Sequence, residues 1–399
     1  MSQDREESAM MNLLRRGYGA IFYENWPIWL GGVLLGIMSV ITFAWARPWG
    51  VVGGLRNWGD WFFKVIGLYS QAPVSPLIST NSLIVLGLLW GSFASALLSK
   101  QFAIRMAPPF ELLKGAVGGI LMGIGAAMAG GCNVGGFYSA IGALSLSGIA
   151  MMIGLIMGAY LGLRYVYWEL EHVATGSAGG SVTSASGKGL NLLAVEPYLG
   201  FLALLAAIVF TWVYADMALT REGVLALCGV AIGIIIQRTR LCFVRAFRDP
   251  FMTGEAEVPR AVAISIIIVI LGSAALKWTG LRGEMVYVPQ AFWFGGLVGG
   301  IIFGFGMVIA GGCGSGSVWR AGEGQIKLML AVVFFSITVS LVERAIDASK
   351  ALTALMGNRV FLPHFIGYRW AIISLIAILL LYYVITTWNE KTEKFMVEM

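Results

Sequence analysis

The chain has 399 residues, of which 58% are hydrophobic and only 12% charged, and its mean hydropathy is +0.81. Soluble domains carry about 25% charged residues, so this composition excludes a soluble enzyme. The net charge of +6 comes without a soluble basic face. It therefore reads as membrane topology signal or as the lining of an anion pathway, and no nucleic-acid partner is expected.

Residues 1–26 form a polar, amphipathic segment with charges up to Glu24, so no cleavable signal peptide is expected. Crossing about 30 Å of hydrocarbon takes roughly 20 helical residues. Such apolar runs are predicted near 27–46, 82–99, 114–131, 148–163, 197–215, 223–236, 261–276, 292–310, 328–342 and 371–388. They are too long and continuous for the alternating strands of a membrane barrel. The expected fold is therefore an all-α polytopic membrane protein with about ten spans. The stretch 51–69, with Arg56, Asp60 and Lys64 among aromatics, reads as interfacial or re-entrant. Trp26, Trp49, Trp58 and Trp61 fit an aromatic belt at the headgroups.

With ten spans both termini share one side. Lys100, Arg105 and Lys114, and again Arg238, Arg240, Arg245, Arg248 and Arg260, fall on that side. The positive-inside rule then places both termini in the cytoplasm, with the protein in the plasma (inner) membrane. The loop 343–369, with Arg344, Lys350, Arg359 and Arg369, argues the other way.

A phrase recurs at a fixed offset of 181 residues: GAVGGILMGIGAAMAGGC from Gly115 to Cys132, and GLVGGIIFGFGMVIAGGC from Gly296 to Cys313. Eleven of the 18 positions are identical. GVLLGIMSVITFAWAR from Gly32 to Arg47 also aligns with GVLALCGVAIGIIIQR from Gly223 to Arg238, which sets Val51 opposite Cys242. Equivalent spans are separated by an odd number of crossings, so the two halves are expected to be inverted repeats. The repeats would occupy 27–173 and 191–388, joined by a Gly/Ser-rich linker over 174–190 and followed by a polar tail over 389–399.

Four cysteines are present: Cys132, Cys228, Cys242 and Cys313. None has CxxC spacing and there are two histidines, so no metal site is expected. No Walker phosphate loop or other cofactor motif is present, so no cofactor is expected. Cys228 reads as a small core residue. Cys132 and Cys313 end the two A-G-G-C phrases, and Cys242 lies among arginines in QRTRLCFVRAFRD. The paired glycines Gly130-Gly131 and Gly311-Gly312 each weaken a helix and favour a break there. Gly-rich helix starts leave N–H groups free for an oxyanion. Asn133, Gly314, Ser315, Ser317, Arg238, Arg240, Arg320 and Glu323 are further candidates to meet it, although Arg320 and Glu323 could simply pair at i, i+3.

A-G-G-C-G-S-G with downstream W-R-A-G-E-G, R-x-R-L-C-F…A-F-R-D and the first-half A-G-G-C-N resemble the YeeE/YedE membrane protein family over nearly the whole chain. Chain length and the run R-A-F-R-D-P-F-M-T-G from Arg245 to Gly254 are closer to its YedE-like branch, which is linked to selenium metabolism. The resemblance implies a transporter rather than an enzyme, for thiosulfate or a related small sulfur-containing anion. It implies a relay of thiol hydrogen bonds through Cys132, Cys242 and Cys313, with a cytoplasmic sulfur-carrier protein as acceptor near 238–260. Val51 departs from the repeated pattern. The alternatives are a selenite-like substrate, a sulfur-transfer enzyme with a cysteine persulfide, and an accessory membrane subunit.

Overall fold

The computed structural model describes residues 17–172 and 192–397. The expected linker 174–190, and the outer parts of the expected terminal segments, lie outside the described residues. Within them the chain is nearly all helix, and ten stretches are long and apolar enough to cross a membrane. This is a multi-pass membrane protein. Helices dominate because hydrocarbon leaves no partner for an unpaired backbone amide.

The first half contains α1 (Ile28–Trp45), α2 (Val52–Val65), α3 (Thr80–Leu98), α4 (Pro109–Ala129) and α5 (Ser147–His172). A short π-helix, Asn133–Ser139, lies between α4 and α5. The second half contains α6 (Leu192–Asp216), α7 (Thr220–Thr239), α8 (Phe243–Met252), α9 (Glu257–Trp278), α10 (Phe294–Ala310), α11 (Gly314–Gly322) and α12 (Ile326–Ala348). It closes with α13 (Lys350–Met356) and α14 (Pro363–Thr392). Strands β1 (Gln290–Phe292) and β2 (Asn358–Arg359) pair antiparallel on one face, which the hydropathy pattern does not foretell.

Both described chain ends meet the opposite face. The Trp26 amide donates to the Arg238 carbonyl (2.9 Å), and the Val397 amide to the Phe251 carbonyl (2.9 Å). That surface is called the termini face below, and the other the 279–293 face.

The centre is a crossing of α4 and α10. A Cβ built on Gly118 would lie 2.7 Å from the Gly306 carbonyl oxygen, and one on Gly125 would lie 2.5 Å from that of Gly299. The contacts pair rising with falling numbers, so the two helices run antiparallel with backbones touching, as small-xxx-small packing allows. Around them α5 packs on α10, α12 on α4, α7 on α3 and α9 on α1.

Two expectations about surface elements are corrected or refined. Trp49 is not in a headgroup belt: it is fully buried, and its Nε1 donates to Ser39 Oγ (2.8 Å). Tyr138 joins the same network, with its hydroxyl 3.0 Å from Ser39 Oγ and 2.7 Å from Ser265 Oγ. The indole is held inside because its one N–H has an internal acceptor, the condition under which buried tryptophan is tolerated. The stretch 51–69 is largely α2, which packs inward against α12.

Gly125→Val would force the central helices apart. Overpacking of this kind costs about 1–3 kcal/mol, so the melting temperature in detergent should fall clearly, and less for Gly125→Ala. Unchanged melting for Gly125→Val would refute the tight crossing.

Candidate functional site

Four of the long apolar helices stop, and each is followed after a short turn by another helical segment. α4 ends at Gly130 (φ 69°) and α10 at Gly311 (φ 78°), both in the left-handed region. Glycine accepts that conformation without the clash a Cβ would create. Arg240 (φ 54°) ends α7 in the same way despite its side chain. After the turns, Cys132, Cys313 and Cys242 stand in extended conformation immediately before the next helical segments. The fourth break, after α1, ends at Val51, which precedes α2.

All four residues are buried, from 0% exposure for Val51, Cys132 and Cys313 to 2% for Cys242. They converge on the first turn of α11. A Cβ on Gly314 would meet Val51 Cγ2 at 3.0 Å and Cys132 Sγ at 3.3 Å. A Cβ on Gly316 would lie 3.0 Å from the sulfurs of both Cys242 and Cys313. The three thiols thus border one glycine-surfaced strip, and all are free. Cys313 Sγ accepts from the Gly316 amide (3.2 Å) and lies 3.7 Å from Ser315 Oγ. Cys228 sits mid-helix in α7, away from the breaks, as a buried core residue.

Buried polar groups near the strip lack protein partners. They are both amide atoms of Asn133, Ser317 Oγ and Trp319 Nε1. Asn133 neighbours the Cys313 thiol without completing a hydrogen bond of normal geometry. Buried donors are normally satisfied, so these are the groups that fit an oxygen-bearing ligand. Sequence reasoning left Trp319 out, because a single tryptophan in a short Gly-rich helix carries no signal of its own.

Toward the termini face the charges are organised. The Trp319 ring has the Arg240 guanidinium carbon 5.5 Å and the Arg320 guanidinium carbon 5.1 Å from its centroid. Arg320 and Glu323 do not pair with each other. Arg320 Nη1 donates to the Gly311 carbonyl (2.8 Å), capping α10, while completely buried Glu323 takes Arg240 Nη1 (2.7 Å) and Gln237 Nε2 (2.9 Å). The reason is the α10 terminus: its exposed carbonyls attract the nearer cation. Arg238 is completely buried and turned to the N-terminal segment, with Nη2 on the Glu24 carbonyl (2.5 Å) and no partner for Nε or Nη1. Arg245 and Arg248 both hold Asp249, and Arg245 also holds Glu255, so the arginine crowd beside Cys242 is largely compensated.

On the 279–293 face, Arg47 lies with its guanidinium carbon 6.0 Å from the Tyr287 ring centroid. The Tyr287 hydroxyl faces Gly50 and Gly135, beside Cys132. Burial raises its pKa above the ordinary tyrosine value, against the pull of the Arg47 charge, so it stays protonated and able to donate.

Broken spanning helices thus bring free thiols and unpartnered polar groups to one buried strip of a membrane protein. The sequence profile described as sulphur transport matches residues 3–161 and 238–398, and the chain belongs to that family. It is 28% identical over 307 residues, 74% of this chain and 75% of the relative, to the probable transporter YedE of Escherichia coli strain K12. It is 39% identical over 124 residues to the thiosulfate transporter TsuA of the same organism, covering 31% of this chain and 34% of that protein. The TsuA of Spirochaeta thermophila is 34% identical over 111 residues, 28% of this chain and 33% of that protein.

Removing Arg240 would strand a buried carboxylate. Breaking a buried pair costs about 3–5 kcal/mol, and the partial exposure of Arg240 reduces this to about 2 kcal/mol. Arg240→Met should therefore lower the melting temperature, and Arg240→Met with Glu323→Gln should recover most of the loss. Equal losses in the single and double variants would show that Glu323 needs no cation.

Proposed function

We propose that this protein carries thiosulfate, or a related small sulfur-containing anion, across the plasma (inner) membrane, passing it between Cys132, Cys313 and Cys242 by thiol hydrogen bonds. The observation that carries this is the meeting of three free, buried thiols on the strip formed by Gly314 and Gly316. A dianion cannot shed its water into hydrocarbon without replacement contacts. The amides at the starts of α8 and α11, with Asn133, Ser315 and Ser317, suit the oxygens. Thiols are soft and weak donors, which suits a terminal sulfur and keeps each contact weak enough to break. Gly130, Gly131, Gly311 and Gly312 set the breaks, and Arg240 and Arg320 flank the end toward the termini face.

The two halves act as inverted repeats in this proposal. Two observations support it. The α4–α10 crossing pairs Gly118 with Gly306 and Gly125 with Gly299, positions that exchange under the 181-residue offset. The neighbouring contacts also exchange, α4 on α12 for α10 on α5 and α1 on α9 for α7 on α3. Val51 occupies the place that would complete a four-thiol set, so this chain works with three.

The termini face is assigned to the cytoplasm, on the positive-inside rule. A sulfur-carrier protein is the acceptor expected there. Its dock on 238–260 is not a bare basic patch, because Asp249, Glu255 and Glu390 engage Arg245, Arg248 and Arg260. Family membership favours transport over a persulfide enzyme.

The test is uptake by cells lacking other sulfate and thiosulfate importers, offering thiosulfate and selenite separately. Cys132→Ser, Cys242→Ser and Cys313→Ser should each reduce thiosulfate uptake about tenfold, the equivalent of one lost hydrogen bond near 1.4 kcal/mol. Gly316→Ala should reduce it at least as far, because the added methyl meets two sulfurs. Selenite uptake alone would change the substrate. No uptake of either ion at normal membrane levels would overturn the proposal.

A further inference from the structure

The loop after α9 folds back over the break between α1 and α2, and three anchors hold it there. Arg282 donates from Nε to the Phe43 carbonyl (2.9 Å) and from Nη2 to the Ala44 carbonyl (2.6 Å), gripping the end of α1. Lys277 Nζ bridges the Glu284 carbonyl (2.7 Å) and the Ala143 carbonyl (2.8 Å). Pro289 lies against Gly130, at the break that precedes Cys132. Between these anchors Tyr287 takes a left-handed conformation (φ 63°), and its hydroxyl reaches into the gap between two breaks. A Cβ on Gly50 would lie 3.0 Å from that hydroxyl, and one on Gly135 would lie 2.9 Å from it. Gly50 immediately precedes Val51, and Gly135 lies in the π-helix that Cys132 opens. The phenol therefore covers the way to Cys132 from the 279–293 face.

Arg47 stands beside that cover without a counter-ion. Among the described residues Arg56, Arg240, Arg245, Arg248 and Arg260 each pair with a carboxylate, Arg238, Arg282 and Arg320 hold backbone carbonyls instead, and Arg47 pairs with no carboxylate. Its Nε is buried with no acceptor. An uncompensated guanidinium in partly buried surroundings costs desolvation energy, and an arriving oxyanion would satisfy it with bidentate, charge-assisted hydrogen bonds.

We propose that Arg47 and Tyr287 form an anion-recruiting site at the mouth on the 279–293 face, which takes a small divalent oxyanion by its oxygens before the ion reaches Cys132. The inference rests on the transport function proposed above and adds the residues that select which ions reach the thiols. Arg47 attracts the dianion and holds two oxygens. The oxyanion replaces the Tyr287 ring at Arg47, the hydroxyl leaves Gly50 and Gly135, and the softer end of the ion then faces Cys132. Without an anion the ring lies where this structure shows it, closing the mouth. Cations and neutral molecules gain nothing at Arg47 and leave the cover in place.

Two measurements test this on the full chain with Arg47→Gln, Arg47→Lys, Tyr287→Phe and Tyr287→Ala. The first is the rate at which Cys132 is modified by methanethiosulfonate reagents of opposite charge, the sulfonatoethyl anion and the trimethylammonioethyl cation. Mass spectrometry reads which cysteine is modified, in purified protein. Tyr287→Ala should speed both reagents about tenfold, and Arg47→Gln should slow only the anion, by a similar factor, as expected for loss of local charge steering. Arg47→Lys should keep most of the anion preference, and Tyr287→Phe should keep the closed mouth, which shows that the fold survives substitution. The second measurement is initial thiosulfate uptake against concentration. Arg47→Gln should raise the half-saturating concentration about tenfold with a smaller change in maximal rate, the mark of lost recruitment rather than lost relay. Equal labelling of wild type and Tyr287→Ala, or an unchanged anion-to-cation ratio in Arg47→Gln, would overturn the site, even where uptake by the wild type stands. Shifted labelling with no thiosulfate uptake by wild type would uphold the anion site and overturn the substrate proposed above.

Discussion

The contact on which the rest of the structure depends is the backbone-to-backbone crossing of α4 and α10. Glycines at 118, 125, 299 and 306 let these two helices touch, and any larger residue there would hold them apart. Both helices end a few residues beyond the crossing, at Gly130 and Gly311. Because the crossing is antiparallel, α4 ends beside Gly295 and α10 ends beside Gly118, and the segments after the two breaks turn back to meet where Gly314 faces Cys132. A helix that stops at depth leaves amides and carbonyls without partners, which hydrocarbon tolerates only where protein or a polar path covers them. The fold supplies that cover with the adjoining breaks after α1 and α7, so four helix starts and three thiols share one neighbourhood.

Charge is handled differently at the two ends of this neighbourhood. Toward the termini face several cations are matched with carboxylates: Arg240 with Glu323, and Lys114 and Lys327 with Glu111, while Lys114 also holds buried Glu169. Paired ions of this kind fix geometry more than they add stability. The two arginines beside the Trp319 ring are held in place, Arg240 by Glu323 and Arg320 by the carbonyl end of α10. At the other end Arg47 stands without a carboxylate partner beside Tyr287, whose hydroxyl lies against Gly50 and Gly135. Arg47 stands four residues before Val51 and Arg238 four before Cys242, and each keeps a buried guanidinium nitrogen without an acceptor. The likeness is partial, since Arg238 is completely enclosed by its own chain.

Much of this was legible in the residues. Unbroken apolar runs foretell ten spans, because helices are the one economical way for a chain like this to cross hydrocarbon. The repeated A-G-G-C phrases point to the breaks at Gly130 and Gly311, since glycine alone takes the left-handed turn without strain. Trp49 reads as an interface residue in sequence because amphipathic aromatics look alike there; its internal acceptor, Ser39, becomes visible only when the helices are packed. The same applies to Glu323, whose nearest cation in sequence is Arg320 but whose partner in space is Arg240.

Composition and pattern by themselves determined the membrane class, the number of spans, the duplicated phrases and the three cysteines beside helix breaks. These are local properties, set by hydrophobicity and backbone freedom over a few turns. Tertiary structure alone decided that Cys242 and Cys313 flank one glycine, that Val51 and Cys132 meet at Gly314, and that the Tyr287 hydroxyl lies at Gly50 and Gly135. Those meetings join residues from separate helices, and their distances depend on how closely the helices pack, a quantity that no single segment encodes.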